Sequence, residues 1–250
     1  MMPQNTIVLD LETARSADDC RHCGHQKSAH YDAGACADWD GQKPPRSVTQ
    51  FSPIGWNNKS ALGLAIGAYY DYEDQRIHWF DVHTLEATID LFIERQPLMV
   101  TFNGIGFDFV LMRGLLRREA EQQGGCPTGI DRQNHLVWLC DTFKVQCAAS
   151  YDILAEIWKV DPARKFERGL NSLDAIARAN GLGGKLGHGA LAPRDWAAGR
   201  YADVLNYCQD DVYKTKALFE GILEHGNLLR GDGIAISLPC PYAPQKGQTT

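Results

Sequence analysis

A short apolar segment near the N-terminus, TIVLDLETA at residues 6–14, carries two carboxylates one residue apart. Side chains alternate between the two faces of a β-strand, so Asp10 and Glu12 point to the same side as Val8. Buried strands rarely carry paired acids, because taking a carboxylate out of water costs free energy unless a cation or a donor compensates. The segment therefore predicts a core strand with two acidic groups converging on one face.

Charge and targeting patterns limit the function classes. The 250 residues include 31 acidic and 25 basic side chains, a formal net charge of −6. This balance argues against binding nucleic acid through bulk electrostatics, but it allows an enzyme that holds a few phosphates. No apolar run approaches the roughly 18 residues of a membrane span, and a signal-peptide pattern is absent. We expect a cytoplasmic protein without a membrane partner.

Hydrophobic periodicity predicts an α/β domain. After the first strand, further strands are predicted as a hairpin over residues 61–82 and as short segments at 97–102 and 136–142. Helices are predicted over residues 85–94, from near Asp108, and near 151–159, 171–180 and 200–225. We expect one domain over residues 1–230, a polar inserted module at 15–60, and a mobile C-terminal tail at 231–250 with a short strand near 234–238.

The last long helix places an acid on its apolar stripe. Asp211 falls between Cys208 and Thr215 at three-and-four spacing, whereas Asp210 points elsewhere, and Tyr207 lies one turn before Asp211. A third acidic position, Asp108, follows a strand and a glycine-containing turn, where an ordinary helix N-cap is the simplest interpretation. Carboxylates that converged from these segments would repel one another unless divalent cations held them, and oxygen ligands suit Mg²⁺ or Mn²⁺.

Three short motifs together resemble a known enzyme group. DLE at residues 10–12, NGIGFD at 103–108 and YCQDD at 207–211 are similar, in order and in context, to the three motifs of the DEDD superfamily of 3′–5′ exonucleases. The tyrosine four positions before the last aspartate resembles the DEDDy branch. Much of the chain is similar to exonuclease domains related to the proofreading part of family B DNA polymerases. The resemblance implies an RNase H-like fold, with a mixed five-stranded sheet flanked by helices.

The resemblance also implies roles for individual residues. Asp10, Glu12, Asp108 and Asp211 would bind two Mg²⁺ or Mn²⁺ ions, and Tyr207 would orient the attacking water. A phenol with a pKa near about 10 is a poor base at neutral pH, so the metal must activate the water.

Four further residues are candidates for substrate contacts. Asn103 and Phe107 match positions that lie near the terminal nucleotide in the DEDD exonucleases. The chemistry agrees, because an amide can bond a sugar or phosphate and a ring can stack on a base. For Phe107 an ordinary core position explains the residue equally well. Lys185 and His188 lie in a glycine-rich loop, where they could contact phosphates or simply be solvated.

The inserted module carries Cys20, Cys23, His30 and Cys36 within CRHCGHQKSAHYDAGAC. A C-x2-C pair followed by histidine and cysteine predicts one structural zinc ion, with a redox pair or unliganded thiols as alternatives. Its position after the acidic strand suggests a role in holding substrate or a partner, or only the stapling of a polar loop.

These features favour a metal-dependent exonuclease that removes 5′-mononucleotides from the 3′ ends of single strands, with DNA favoured over RNA. An enzyme acting on RNA, an endonuclease, and a non-catalytic nucleic-acid or protein adaptor that uses the zinc insert are the alternatives. Because polymerase motifs are absent, we expect the domain to act alone or with a separate replication or repair protein.

Overall fold

A mixed five-stranded sheet forms the centre of the computed structural model, which describes residues 4–21, 52–125, 127–167, 169–184 and 189–242. The strands lie in the order β3-β2-β1-β4-β5. β1 pairs antiparallel with β2, and β2 with β3, while β1 pairs parallel with β4, and β4 with β5. Their bounds are Thr6–Thr13 (β1), Leu64–Asp71 (β2), Arg76–Phe80 (β3), Leu98–Thr101 (β4) and Tyr151–Asp152 (β5). This sheet is consistent with the predicted RNase H-like fold.

Helices cover both faces of the sheet. In the described part of the chain they are Lys59–Leu62 (α1), Leu85–Arg95 (α2), Asp108–Gln123 (α3), Ile130–Ala148 (α4), Ile153–Val160 (α5), Leu173–Ala179 (α6), Ala192–Ala197 (α7) and Tyr201–His225 (α8). α2, α3 and α4 form one core with Ile7, Leu9 and Leu11 of β1. α5, α6 and α8 form the other core with Val8. The predicted alternation of β1 side chains between two faces is confirmed.

The strand predicted at residues 136–142 is wrong, because these residues lie inside α4. Leu136, Leu139, Cys140 and Phe143 are all buried at three-and-four spacing, so a short apolar run satisfied both a strand and a helix pattern. The fifth strand is instead the two-residue β5, at the start of the segment predicted to be helical from 151. Two residues are too few to produce a strand periodicity of their own.

Beyond residue 225 a small hairpin joins β6 (Asn227–Leu229) to β7 (Ala235–Ser237), which confirms the strand predicted in the tail. In the inserted module, residues 22–51 lie outside the described residues, so the domain boundaries stay a prediction. None of the helices in the described ranges combines the length and apolar character that crossing a membrane requires.

The carboxyl ends of β1, β4 and β5 meet at one edge of the sheet, because these three strands are parallel. The segments that follow parallel strands converge at such an edge, where ligands bind in many α/β proteins. The pairing of β1 with β2 also shifts register between Glu12 and Thr13 at this edge. A register shift of this kind changes the direction of nearby side chains.

Candidate active site

Three carboxylates meet near the carboxyl end of β1. Asp10 and Glu12 extend from β1, and Asp211 extends from α8, which packs against β1 and β2. One carboxylate oxygen from each residue lies within 4.8 Å of the others. Glu12 and Asp211 are buried and Asp10 is half-buried. The fold thus brings together acids from the first and the last motif, as the sequence predicts.

The buried thiol of Cys208 locates the fourth acid relative to these three. Its Sγ atom donates to the backbone oxygen of Asp10 at 3.4 Å. Burial raises the pKa of Cys208 well above its ordinary value, and the negative charges of Asp10, Glu12, Asp211 and Asp108 add to the shift. All four predicted acids therefore lie close enough to act on one sulfur atom.

Asp108 is the first residue of α3, with Phe107 rather than Asp108 at the cap position. Its side chain is only 3% exposed. Desolvation, together with the charges of Asp152 and Asp211, raises the pKa of Asp108 to about 7, although hydrogen bonds from backbone N–H groups, including that of Leu11, oppose the rise. A cap residue on the surface would show no such shift, so Asp108 belongs electrostatically to the acidic site.

The loop before Asp108 is shaped by Asp152, a residue that the sequence reasoning missed. The buried Asp152 carboxylate accepts hydrogen bonds from the backbone N–H groups of Asn103 and Ile105, each at 2.9 Å, and from Ala155 at 3.2 Å. The bond to Ala155 caps α5. An aspartate directly before an apolar helix is a recognisable cap signal. The hydrogen bonds of Asp152 with Asn103 and Ile105 join distant segments, so they leave no local pattern in the sequence.

Asn103 has a structural role in the same loop. Its φ angle is +73°, a left-handed conformation that asparagine tolerates better than most residues. A Cβ atom at Gly106 would lie 2.6 Å from the Asn103 Oδ1 atom, so any larger residue there would displace the Asn103 side chain. The predicted contact of Asn103 with substrate stays a prediction.

Tyr207 is half-buried one turn before Asp211 in α8. Desolvation raises the pKa of Tyr207, and the carboxylates of Asp195 and Asp203 raise it further, so the phenol stays protonated at neutral pH. Asp195 is itself buried on α7 and accepts a hydrogen bond from the Arg200 guanidinium. Asp195, Asp203 and Arg200 are therefore charged neighbours of Tyr207, and the sequence alone did not predict them.

The remaining predicted residues divide into described and undescribed positions. Phe107 is half-buried and packs against a small cluster of Ala17, Ile54 and Leu62. Cys20 is buried, and its backbone bridges to Pro53. Lys185, His188, Cys23, His30 and Cys36 lie outside the described residues. The zinc site and the phosphate contacts of the glycine-rich loop therefore stay predictions.

The donor set at β1 fits a hard divalent cation. Carboxylate oxygens are the preferred ligands of Mg²⁺ and Mn²⁺, and several buried acids are tolerated when cations neutralise them. A second group in the described part of the chain, Asp71, Asp74 and His78, differs in character. There Arg95 donates hydrogen bonds to Asp71, and His78 Nε2 lies 2.8 Å from Asp74. That group is an ion-pair network at the end of a hairpin.

Comparison with known proteins agrees with this geometry. Residues 80–229 match the family model described as a predicted 3′–5′ exonuclease related to the exonuclease domain of PolB. The chain belongs to this exonuclease family. The matched range includes Asp108 and Asp211, and the fold adds Asp10 and Glu12 from β1, which precedes the range. Searches of curated proteins and of solved structures found no match.

Replacing Asp108 by asparagine should stabilise the metal-free protein at pH 8. The pKa of Asp108 is about 7 in the folded state, above the ordinary value of about 3.9, so stability falls as the pH rises from about 4 to 7 and the loss is complete above 7. In the presence of a chelator we expect Asp108→Asn to raise the free energy of unfolding at pH 8 by on the order of 1–3 kcal/mol. Urea unfolding at pH 6 and pH 8 measures the difference.

Asp131 provides the matched control, because it lies in the first turn of α4 but is exposed. Asp131→Asn should give no stabilisation at either pH. An Asp108→Asn variant that was destabilised equally at pH 6 and pH 8 would contradict the electrostatic interpretation of the site.

Proposed function

We propose that the protein is a metal-dependent 3′–5′ exonuclease that hydrolyses phosphodiester bonds at the 3′ end of single-stranded DNA and releases 5′-mononucleotides. The observation that carries the proposal is the meeting of Asp10, Glu12 and Asp211 within 4.8 Å, beside the buried Asp108, in a member of an exonuclease family. An adaptor protein has no need of four converging acids, three of them buried, because such a cluster lowers stability.

Asp10, Glu12, Asp108 and Asp211 are the residues that would hold two Mg²⁺ or Mn²⁺ ions. Divalent ions bound there supply Lewis-acid chemistry, which activates water and stabilises the leaving oxygen of a phosphodiester. The carboxylates themselves exclude other anions, so the substrate phosphate can approach only when their charge is neutralised. The protein fixes their positions through β1, the Asp152-bound loop and α8.

Tyr207 positions the attacking water in this proposal. Its raised pKa keeps the hydroxyl protonated, so the phenol acts through hydrogen bonding rather than as a base. Attack on the phosphorus atom by the water oxygen breaks the bond to the 3′ oxygen of the preceding nucleotide, which takes up a proton. The products are a 5′-mononucleotide and a strand shortened by one residue.

The proposed substrate contacts are those of Asn103 and Phe107 with the terminal nucleotide, and of Lys185 and His188 with phosphates. DNA is the proposed substrate because the matched family is related to the exonuclease domain of a DNA polymerase. A single exonuclease domain over residues 1–230 would then act alone or with a separate replication or repair protein in the cytoplasm.

Asp211→Asn should abolish the release of mononucleotides from a 5′-labelled single-stranded DNA. The substitution removes the negative charge from the acidic site while preserving the size of the side chain, and we expect a loss of about a thousandfold or more in kcat. A degradation time course with Mg²⁺ or Mn²⁺ measures it, with 3′-blocked and RNA oligonucleotides as parallel substrates.

Asp210→Asn is the matched control, because Asp210 lies next in sequence but pairs with Lys214. This variant should retain wild-type kcat within about threefold, although the loss of a buried ion pair lowers its stability. Undiminished digestion by Asp211→Asn, or an equal loss in both variants, would refute the assignment. Faster digestion of RNA than of DNA would overturn the proposed substrate alone.

Tyr207→Phe should lower kcat by about tenfold to a hundredfold, because it removes only the hydroxyl that orients the water. The KM for the oligonucleotide and the affinity for Mn²⁺ should stay unchanged. Steady-state kinetics and Mn²⁺ titration calorimetry separate these quantities. A parallel fall in Mn²⁺ affinity would assign Tyr207 to maintaining the acidic site instead.

We also propose that Cys20, Cys23, His30 and Cys36 bind one structural zinc ion. Protein purified without added zinc should contain about one equivalent of zinc per chain, and the double variant Cys20→Ser, Cys23→Ser should contain none. Elemental analysis measures both. Cys240→Ser, at a half-buried cysteine near the C-terminus, should keep the metal. A zinc-free wild-type protein would exclude the site.

A further inference from the structure

Trp56 has a large exposed surface for which the acidic site provides no explanation. Its side chain is 66% exposed, although tryptophan is one of the more buried residue types on average. The residue lies just before α1 and outside the range 80–229 that matches the exonuclease family. The motif resemblance therefore assigns no role to it.

Hydrogen bonds fix the backbone that precedes Trp56. The N–H of Ile54 donates to the carbonyl oxygen of Asp19 at 2.9 Å, and the N–H of Gly55 donates to that of Ala17 at 2.8 Å. The Ile54 side chain is buried against Ala17 and Leu62. These contacts hold the indole at the surface on a turn that is tied to the segment following β1.

The indole lies beside the residue that precedes the buried acid of the second motif. The ring centroids of Trp56 and Phe107 are 6.2 Å apart, and their planes are inclined by 59°. Despite this contact Trp56 is 66% exposed, so much of the indole surface is accessible to a ligand. Phe107 is followed directly in sequence by the buried Asp108, so the exposed indole lies beside the N-terminal end of α3.

The surroundings of Trp56 favour a nucleic acid strand over an apolar protein surface. Asn57 and Asn58, which follow it, are polar and exposed. The Arg21 guanidinium donates to the Pro53 carbonyl oxygen at 3.1 Å, and Lys59 begins α1 three residues after Trp56. Aromatic rings flanked by cations are the combination with which proteins bind single strands, because bases stack and phosphates attract positive charge.

We propose that Trp56 stacks on a nucleobase close to the 3′ end of the single-stranded substrate, and that it extends the contact made by Phe107. The inference rests on the proposed exonuclease function. Every base has a π face, so this contact increases affinity for any single strand and does not read sequence.

Binding of a fluorescein-labelled single-stranded DNA tests the proposal in the inactive Asp211→Asn background. We expect Trp56→Ala to weaken binding by about tenfold and Trp56→Phe, which keeps a ring, by less than about threefold. Trp138→Ala is the control, because Trp138 is 52% exposed on α4 and stacks on His135 rather than on Phe107. Equal affinities for Trp56→Ala and its parent would overturn the proposal.

A series of oligonucleotides with one abasic residue moved stepwise from the 3′ end identifies the base. For the protein with Trp56 intact, affinity should fall at one position of the abasic residue. With Trp56→Ala the same position should cause no further fall, because the stacking partner is already absent. An equal fall in both proteins would show that another side chain contacts that base.

Kinetics with Asp211 intact separate this proposal from the exonuclease assignment. Trp56→Ala should raise KM about tenfold with kcat little changed. If the parent protein degrades the strand and Trp56→Ala has the same KM, only the stacking proposal fails. If the parent neither binds nor degrades DNA or RNA, both proposals fail.

Discussion

The mutual repulsion of carboxylates in one site is the constraint on which the rest of this structure depends. Asp10 and Glu12 come from the first strand, Asp108 from the start of α3 and Asp211 from the middle of α8. Three of the four are buried, and their charges act together on the Cys208 thiol. Burial at this density is tolerable when cations compensate it. The sheet edge, a glycine-containing loop and the longest described helix hold these four acids in place.

The parallel part of the sheet explains how distant segments reach one place. β1, β4 and β5 end at a common edge, so Glu12, the loop after β4 and Asp152 become neighbours there. Asp152 then ties the loop to β5 by accepting backbone N–H groups of Asn103 and Ile105. α8 packs on the face of the sheet to which Val8 points, and it contributes Asp211. Positioning therefore comes from backbone hydrogen bonds and rigid elements, which suits a site that requires fixed distances.

Much of this arrangement could be predicted from the sequence, because three of the four acids interrupt a strong local pattern, whereas Asp108 was identified only through the motif resemblance. Asp10 and Glu12 lie in an apolar strand, and Asp211 lies on the apolar stripe of a helix. A charged side chain at a position that is predicted to be buried stands out in the sequence. The strand predicted at residues 136–142 is wrong because the short apolar run at 136–140 fits two periodicities, and only packing decides between them. Asp152 and Trp56 escaped notice because their roles arise from contacts across the fold rather than from neighbouring residues.

Diffraction from crystals grown with Mn²⁺, recorded at a wavelength where manganese scatters anomalously, tests the central claim most directly. Two anomalous peaks about 3.5–4 Å apart are expected between the β1 carboxylates, Asp108 and Asp211. Absence of any peak at saturating Mn²⁺, with a lysine or arginine side chain occupying the space between these acids, would contradict the account.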